Sequence, residues 1–418
     1  MRDVYIIGVG MTRFFRWLDR SIKDLANEAV SDALTHAGIE KQDIEAAWFA
    51  NSTWGFLQGQ DQVRGQVALG AMGIHKIPIT NVESACGGGS QALHNAWLGV
   101  SSGAYECALA VGAEKLYDAD KRRSFQAIET GTDRENRGAI DKLWINRIHE
   151  LGIDVPLDNF EKAGVDRGGM MNFYACMVRW HMMKYGTTQR HLALITSKAH
   201  RLGAMNPKAQ FQKAMTIEDV LAARPVVYPL TVPMCAPLGD GSAAAVLCSE
   251  DFLRRMTSPK PVKILASVYG SNTPRAFDES EKAIEVRLSQ KAYNIAGVGP
   301  EDVDVLEVHD AASYGELKMT EQLGFCGPGE GGPFAESGAT MLGGKIPVNP
   351  SGGLISRGHP LAATGIAQIY ELVTQLRGEA GARQVEGARI GMSENGGGMV
   401  YFEEASMGIH ILERPAKQ

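Results

Sequence analysis

Apolar residues along this chain form short β-branched runs that alternate with longer stretches of helical spacing. Residues 4–10 predict a buried strand, and residues 43–50 predict another. Between them, residues 21–38 predict a helix that begins at the cap Ser21 and ends at Gly38. Strands that alternate with helices in this way are typical of a layered α/β protein.

A second copy of this pattern follows in the later part of the chain. The segment AGIEKQDI at residues 37–44 returns as AGVGPEDV at residues 296–303, in each copy between a helix and a strand. Two further pairs of similar segments keep the same order, residues 76–79 with 345–348 and residues 106–114 with 388–394. An ordered repeat of this kind predicts a duplication. We therefore expect two α/β halves with right-handed crossovers, residues 1–259 and residues 260–418.

An insertion of about residues 117–237 interrupts the first half and is richer in charge and methionine. Long insertions in α/β proteins often form a lid or a substrate loop. The methionines of this segment fit such a loop and fit ordinary core packing equally well. They are Met170, Met171, Met177, Met182 and Met183.

One cysteine of the first half stands in a chemically distinctive setting. Residues 77–80 predict the end of a buried strand and residues 91–103 predict a helix, which places Cys86 at the turn between them. The free N–H groups at a helix start favour negative charge, so we expect a thiolate to form there more easily than in free cysteine. Three glycines behind Cys86 admit the close approach of another backbone or a ligand. The alternative is a buried structural cysteine, but the turn and the glycines favour a nucleophile.

Two histidines of the second half lie where a site would form. His309 follows a strand predicted over residues 303–308, at the edge where α/β sheets gather their active sites. His359 lies in a glycine-rich turn that the duplication makes the counterpart of the Cys86 turn. An approximate twofold axis would bring His359 to Cys86, and a Cys–His pair suits nucleophilic acyl transfer. For each histidine the alternative is a satisfied, partly buried side chain.

A last glycine cluster, residues 393–398, follows a strand predicted over residues 388–392. Its backbone N–H groups are suited to holding an oxyanion. The alternative is that the cluster is only a tight turn.

Together these motifs resemble the thiolase superfamily over nearly the whole chain. The motifs are ACGGGS around Cys86, HDA from His309, GHPL around His359 and NGGG at residues 395–398. They are most similar to the sterol-carrier-protein thiolase or lipid-transfer branch, in which a His-Asp or His-Glu motif replaces the Asn-Glu-Ala-Phe motif of ordinary thiolases. The resemblance implies a five-layered α/β/α/β/α thiolase fold and an obligate dimer or dimer of dimers.

The resemblance also implies roles for individual residues. Cys86 would carry the acyl group, His359 would be its base, and His309 with His359 would line one oxyanion hole. The N–H groups of Cys86 and Gly396 would form a second oxyanion hole. Coenzyme A is the implied co-substrate, with no tightly bound cofactor, and the sequence leaves the residues that bind it unassigned.

The chain departs from the family at the position that moves a proton on the substrate. Ordinary thiolases place a second cysteine two residues before the first glycine of the last cluster, where this chain has Glu394. Some sterol-carrier thiolases place a cysteine two residues after the histidine of the HDA motif, where this chain has Ala311. Glu394 or His309 could transfer the proton instead, and the sequence leaves both open.

Composition and charge limit the partners, the cellular location and the cysteine chemistry that we expect. The net charge of −6 without a basic block gives no indication of a nucleic-acid partner. No apolar run reaches the length of a membrane span and the N-terminus lacks a signal-peptide pattern, so we expect a cytoplasmic protein. The six cysteines contain no CxxC pair, which argues against a metal site and against a disulfide framework. Of the other five cysteines, only Cys326 lies in a glycine-rich loop that could bear on function, and we expect the remaining four to serve packing.

Three functions fit these observations. The first is cleavage of a 3-oxoacyl-CoA by CoA through acyl-Cys86 in a degradation pathway, with a branched, aromatic or steroid-derived acyl group. The second is C-acyl transfer in a complex with a small zinc-ribbon/OB-fold partner, as relatives of this branch often form. The third is a non-catalytic lipid-carrying subunit, against which the presence of both Cys86 and His359 argues. A retro-aldol role ranks lower, because aldolase relatives dispense with the nucleophilic cysteine.

Overall fold

The computed structural model of the protein describes residues 2–154, 168–257 and 259–414. Residues 155–167 of the predicted insertion therefore lie outside the described residues. The strands form a nine-stranded mixed sheet and a two-stranded hairpin. In chain order they are β1 (Val4–Met11), β2 (Ala46–Ala50), β3 (Ile79–Val82), β4 (Cys107–Lys115), β5 (Pro225–Val227), β6 (Leu230–Thr231), β7 (Asp240–Ser249), β8 (Val262–Ser271), β9 (Val305–Glu307), β10 (Ile390–Gly397) and β11 (Ser406–Glu413).

Helices connect the strands and cover the sheet. None of those in the described residues combines the length and apolar character needed to cross a membrane. They are α1 (Ile22–Ala37), α2 (Trp54–Gln58), α3 (Arg64–Gly70), α4 (Gly88–Ser101), α5 (Lys121–Glu129), α6 (Arg137–Glu150), α7 (Met170–Tyr185), α8 (Gln189–Ala204), α9 (Ile217–Ala222), α10 (Glu250–Leu253), α11 (Ile284–Ala296), α12 (Tyr314–Gln322), α13 (Gly331–Glu336), α14 (Gly353–Arg357) and α15 (Thr364–Arg377).

The strand pairing repeats between the two halves of the sheet, whose order is β3-β2-β4-β7-β1-β8-β11-β10-β9. In the first half, β1 and β4 pair antiparallel with β7, and β4 pairs parallel with β2. In the second half, β8 and β10 pair antiparallel with β11, and β10 pairs parallel with β9. In the first half, β2 pairs parallel with the edge strand β3. In the second half, a parallel bridge between Leu306 of β9 and Val348 takes the corresponding place. The predicted duplication is confirmed in the topology.

Two central helices lie between the halves. The helices α4 and α15 share one core with the inner faces of strands from both halves. Helix α1 packs on the outer face of the first half and α11 on the outer face of the second. The result is the five-layered α/β/α/β/α arrangement that the resemblance implied, because each half-sheet has one outer face and one inner face to bury.

The described part of the insertion folds as helices α5 to α9 with the hairpin of β5 and β6, around a core centred on Trp144. Its methionines divide between the two predicted roles. Met177 is buried in this core, and Met183 is exposed. Met170 and Met171 line a cavity that also contains Cys86.

Helix α1 and strand β1 form as predicted, with Ser21 capping α1 and a left-handed Gly38 ending it. Three other predicted elements differ from the structure: the helix after Cys86, the strand before it, and the last glycine cluster. The helix after Cys86 already begins at Gly88. Strand β3 is an edge strand with exposed Thr80 and Asn81, so the prediction that it is buried was wrong.

The largest difference concerns the last glycine cluster. It lies within β10, which runs to Gly397 and pairs with β11 along its whole length, instead of forming a loop after the strand. Glycine-rich sequence is weak strand sequence, and pairing with β11 overrides that preference. A side chain at Gly397 would overlap the backbone of Ser84 and Gly87, so this glycine lets β10 touch the Cys86 turn.

We expect Gly397→Ala to destabilise the fold by about 1–3 kcal/mol, because backbone atoms of the Cys86 turn must move to admit the methyl group. Denaturant unfolding of the purified variant measures this change. Gly391→Ala in the same strand is the matched control, since its methyl group meets the flexible Leu372 side chain at 3.1 Å. Equal losses in both variants would contradict this account of Gly397.

Candidate active site

A cavity of about 670 Å³ lies where the two halves meet the insertion. Cys86, His309 and His359 all line it, so the fold brings together the three residues that the sequence singled out. The remaining wall is mainly apolar and includes Leu116, Ile128, Met170, Met171, Leu361 and Met399.

Cys86 lies in a single 3₁₀ turn, Ala85–Gly87, directly before α4. The backbone of Ala85 is held in the left-handed region at φ 47°, which is unfavourable for a residue with a Cβ. Two hydrogen bonds stabilise this conformation: the Ala85 N–H donates to Glu83 Oε1 at 2.7 Å, and Ser52 Oγ donates to the Ala85 carbonyl at 2.9 Å. The turn is therefore a strained, braced support for the thiol.

The turn before α15 places the histidine base next to Cys86. His359 Nε2 lies 3.3 Å from Cys86 Sγ, and its Nδ1 lies 2.7 Å from Thr364 Oγ1. The Thr364 hydroxyl donates to the Pro360 carbonyl at 3.2 Å, so it accepts from His359. The proton of a neutral His359 is thus on Nδ1, and Nε2 is free to take the thiol proton.

The resting pair is an uncharged thiol and an uncharged imidazole. Desolvation and the nearby Glu114 carboxylate raise the pKa of Cys86 to about 12. Burial, with His309 and Arg357 nearby, lowers the pKa of His359 well below its ordinary value. The expectation of an easily formed thiolate was therefore wrong, because burial outweighs the helix terminus at this position. Attack by Cys86 requires proton transfer to His359.

His309 serves the site as a donor. Asn395 Nδ2 donates to His309 Nδ1 at 2.9 Å, which leaves the ring proton on Nε2. Burial lowers the pKa of His309 to about 4, so the ring is neutral. The ring stands edge-on to His359, with centroids 5.1 Å apart. A neutral donor at this place can stabilise a developing oxyanion.

The structure does not bring Glu394 into the cavity. Glu394 is fully buried, and its Oε2 accepts the backbone N–H of His309 at 2.9 Å. Glu114 occupies the equivalent place in the first half, where it accepts the N–H groups of Ser52 and Thr53 at 3.1 and 3.0 Å. Burial raises the pKa of both side chains, that of Glu394 to about 8, and each carboxyl group holds the loop that follows the neighbouring strand of its half. Glu394 is thus a brace of His309, and the sequence could not distinguish this from a proton-transfer role.

Backbone N–H groups also reach the Cys86 thiol. The N–H groups of Gly398 and of Cys86 itself are directed at the sulfur and lower the pKa of Cys86 in opposition to burial. Gly396 lines the cavity but lies within β10, opposite Met407. The oxyanion hole assigned from the sequence to the N–H groups of Cys86 and Gly396 stays a prediction.

Several residues of the site escaped the sequence analysis. Thr364 and Asn395 fix the two histidine tautomers, and both lie inside motifs that were recognised for other reasons. Tyr174 and Glu404 line the cavity from a helix of the insertion and from the β10–β11 hairpin. No spacing signal connects these two residues to Cys86, because only the fold brings them there.

Metal binding has one geometrical candidate among the described residues. Sγ of Cys86 and one ring nitrogen each of His309 and His359 lie within 4.8 Å of one another. Such a set suits a soft ion such as Zn²⁺, but in the resting tautomers His309 Nε2 carries a proton that would have to leave. All six cysteines are free, and Cys326 lies away from this cavity.

Comparison with known proteins decides the family. Residues 4–218 match the thiolase N-terminal domain, and residues 278–414 match the thiolase C-terminal domain-like family. An acetyl-CoA acetyltransferase of Methanothermobacter thermautotrophicus is 38% identical over 99% of this chain and 100% of its own length. The chain belongs to the thiolase family. It is an acyltransferase, as the sequence predicted.

A further relative and two solved structures are similar to nearly the whole chain. Sterol carrier protein 2 of Bos taurus is 38% identical over 94% of this chain and 69% of its own length. The structure of an Ltp2-ChsH2(DUF35) aldolase superposes with a TM-score of 0.76 at 23% identity, over 99% of this chain and 98% of that chain. Human mitochondrial 3-ketoacyl-CoA thiolase in complex with CoA superposes with a TM-score of 0.70 at 17% identity, over 99% and 98%. At these identities the structures confirm the thiolase fold alone.

The pKa shifts of the Cys86–His359 pair predict an unusual pH profile of alkylation. Between about pH 6 and pH 9 the thiol stays protonated and the imidazole stays neutral, so iodoacetamide should modify wild-type Cys86 at a nearly constant rate. In His359→Gln the base is absent, and the rate should be lower and rise about tenfold per pH unit. Mass spectrometry of the Cys86 peptide measures both profiles. Parallel profiles in the two proteins would contradict base catalysis by His359.

Proposed function

We propose that this thiolase cleaves a 3-oxoacyl-CoA with CoA through an acyl thioester on Cys86. The observation that carries the proposal is the 3.3 Å contact between Cys86 Sγ and a His359 Nε2 whose lone pair is free. His309 presents an N–H group to the same cavity, which adds the electrophilic assistance that carbonyl chemistry needs.

In the first half-reaction His359 Nε2 takes the thiol proton while Sγ of Cys86 attacks the 3-oxo carbon. In this proposal the backbone N–H groups of Cys86 and Gly396, two residues that line the cavity, stabilise the resulting oxyanion. The bond between C2 and C3 then breaks, and its electron pair forms an enolate that the Nε2–H of His309 stabilises. A second acid–base group of the cavity protonates C2 and is recharged by the proton held on His359, which releases the shortened acyl-CoA and leaves acyl-Cys86 beside a neutral His359.

In the second half-reaction the thiol of CoA is the nucleophile. His359 Nε2 takes the CoA proton, and the CoA sulfur attacks the thioester carbon of acyl-Cys86. The Cys86–carbon bond breaks, and the departing thiolate regains the proton from His359. The products are a second acyl-CoA and the resting thiol–imidazole pair.

The cavity supports an acyl group larger than acetyl. Its volume of about 670 Å³ and its apolar wall of methionine, leucine and isoleucine side chains leave room for a branched or aromatic group. Flexible methionines such as Met170 and Met171 adapt to irregular shapes. A role in a degradation pathway belongs to the same proposal.

The proposed CoA route is a groove of about 890 Å³ that shares Met170 and Met171 with the catalytic cavity. Four exposed cations line this groove, against the single acid Asp219. Phosphate groups of CoA are recognised by such clusters of Arg and Lys. The four cations are Arg16, Lys121, Lys213 and Arg224.

Removing two of these cations, in Lys213→Ala/Arg224→Ala, should raise KM for CoA about tenfold and leave kcat nearly unchanged, because exposed ion pairs each contribute up to about 1 kcal/mol. Steady-state kinetics at low and high salt measure the effect, which should shrink as salt screens the charges. Lys23→Ala, an exposed lysine on α1, is the matched control. An unchanged KM in the double variant would remove this groove from the CoA route.

Intact-protein mass spectrometry tests the central proposal. Wild-type protein incubated with linear, branched and aryl 3-oxoacyl-CoAs should gain the mass of one acyl group on Cys86, and free CoA should discharge it. Cys86→Ala should show no adduct at all. The substrate that gives the fastest adduct identifies the acyl group.

A wild-type protein that forms no adduct with any substrate would contradict the proposal for the chain alone. The second candidate is then C-acyl transfer in a complex with a small partner, which the DUF35 component named in the similar Ltp2-ChsH2(DUF35) aldolase structure favours. Adduct formation that begins only when a DUF35-type protein is added would establish this candidate.

A further inference from the structure

The proposed reaction needs a second acid–base group. Breaking or forming the C2–C3 bond moves a proton at C2, whereas His359 Nε2 already faces Cys86 Sγ. Cys86 is the only cysteine among the described residues that line the cavity. Some other side chain of the cavity must therefore exchange this proton.

Most ionisable groups of the cavity are unsuited to this task. His309 Nε2 carries a proton and has no lone pair to offer while Asn395 donates to its Nδ1. Burial raises the pKa of Tyr174 well above its ordinary value, which keeps the phenol neutral.

Two of the three carboxylates that line the cavity already accept hydrogen bonds from backbone N–H groups of their own loops. Glu83 is exposed and accepts the Ala85 N–H. Asp133 accepts the backbone N–H groups of Glu135 and Asn136 and the side-chain amide of Asn136. Each carboxylate is thus committed to holding its own loop.

Glu404 is the remaining carboxylate. It lies in the hairpin between β10 and β11, is buried by the protein and lines the cavity beside the catalytic residues. It packs directly against β10, since a Cβ built on Gly396 would lie 2.8 Å from Glu404 Cγ. Its two oxygens lie 3.2 and 3.3 Å from Lys318 Nζ. Lys318 is in turn paired with Glu285 at 2.5 Å.

We propose that Glu404 is the acid–base residue that removes and returns the proton at C2 of the acyl-CoA. This assignment rests on the proposed function and deepens it. Glu404 thereby takes the place that the sequence had offered to Glu394 or His309, and it comes from the neighbouring hairpin.

The proton balance closes within the site. In the synthetic direction a Glu404 oxygen takes the proton from C2, and the C–H electron pair becomes the bond from C2 to the acyl carbon on Cys86. The Cys86–carbon bond then breaks, and Glu404 gives up its proton, which reaches the Cys86 thiolate through His359 Nε2, the group in contact with the sulfur. Cleavage is the same sequence reversed, so no external acid or base is consumed.

The surrounding charges favour the ionised form of Glu404. Although burial opposes ionisation, the Lys318 ammonium and the Arg275 guanidinium lower the pKa of this carboxyl to about 2. The Glu404 charge also acts on His309, whose pKa it raises against the effect of burial. Glu404 is thus ionised, the protonation state that a base requires, and its charge acts on His309, the group that stabilises the enolate.

Separating the two half-reactions tests the assignment. Wild-type protein is incubated with acetyl-CoA in D₂O, and mass spectrometry follows deuterium in the acetyl group and the acetyl adduct on Cys86. Glu404→Gln should lower deuterium exchange about 100-fold or more, the usual contribution of a general base. Formation of the acetyl adduct should stay within about threefold of wild type, because that step uses only Cys86 and His359.

Glu218→Gln is the control, since it neutralises an exposed glutamate on α9 that does not line the catalytic cavity, and it should keep both steps. Wild-type exchange by Glu404→Gln would overturn the assignment. Loss of exchange and adduct together would also overturn it, because Glu404 would then support the site as a whole. Failure of the proposed function has a different signature, the absence of any adduct on wild-type Cys86.

Discussion

The structure depends on the contact between two backbone turns at the centre of the molecule. The first turn of α4 and the segment that leads into α15 approach so closely that a Cβ at Gly89 would lie 2.6 Å from the Ala362 carbonyl oxygen. Likewise a Cβ at Gly365 would lie 2.5 Å from the Ser90 N atom. Because protein interiors are close-packed, nothing larger than glycine fits at these points. This approach sets the distance between the thiol and its base.

Duplication explains why the contact forms at all. Each half ends a parallel strand at the same sheet edge and follows it with a turn and an inner helix. Each half also closes that edge with a buried carboxylate, Glu114 in the first and Glu394 in the second. The two carboxylates are alike in structure, while the turns have diverged in chemistry. One turn supplies a sulfur atom and the other an imidazole.

The fold and the three central residues could be predicted because their signals are local and repeated. Helical spacing, strand runs and the repeat of residues 37–44 at 296–303 give the halves, and the halves give the pairing of Cys86 with His359. Burial could not be inferred from neighbours along the chain, so the ionisation of Cys86 was predicted in the wrong direction. Glu404 could not be found, because its place depends on the register between β10 and β11 and on an ion pair with Lys318.

The nucleophile and its base belong to different halves, which meet where β1 pairs with β8 at two residue pairs and where α4 packs against α15. Neither half contains a working Cys–His pair by itself. Activity therefore depends on how the two halves fit together, and an intact fold within one half is not sufficient for it. A small opening along this seam would silence Cys86 while every strand and helix remained intact.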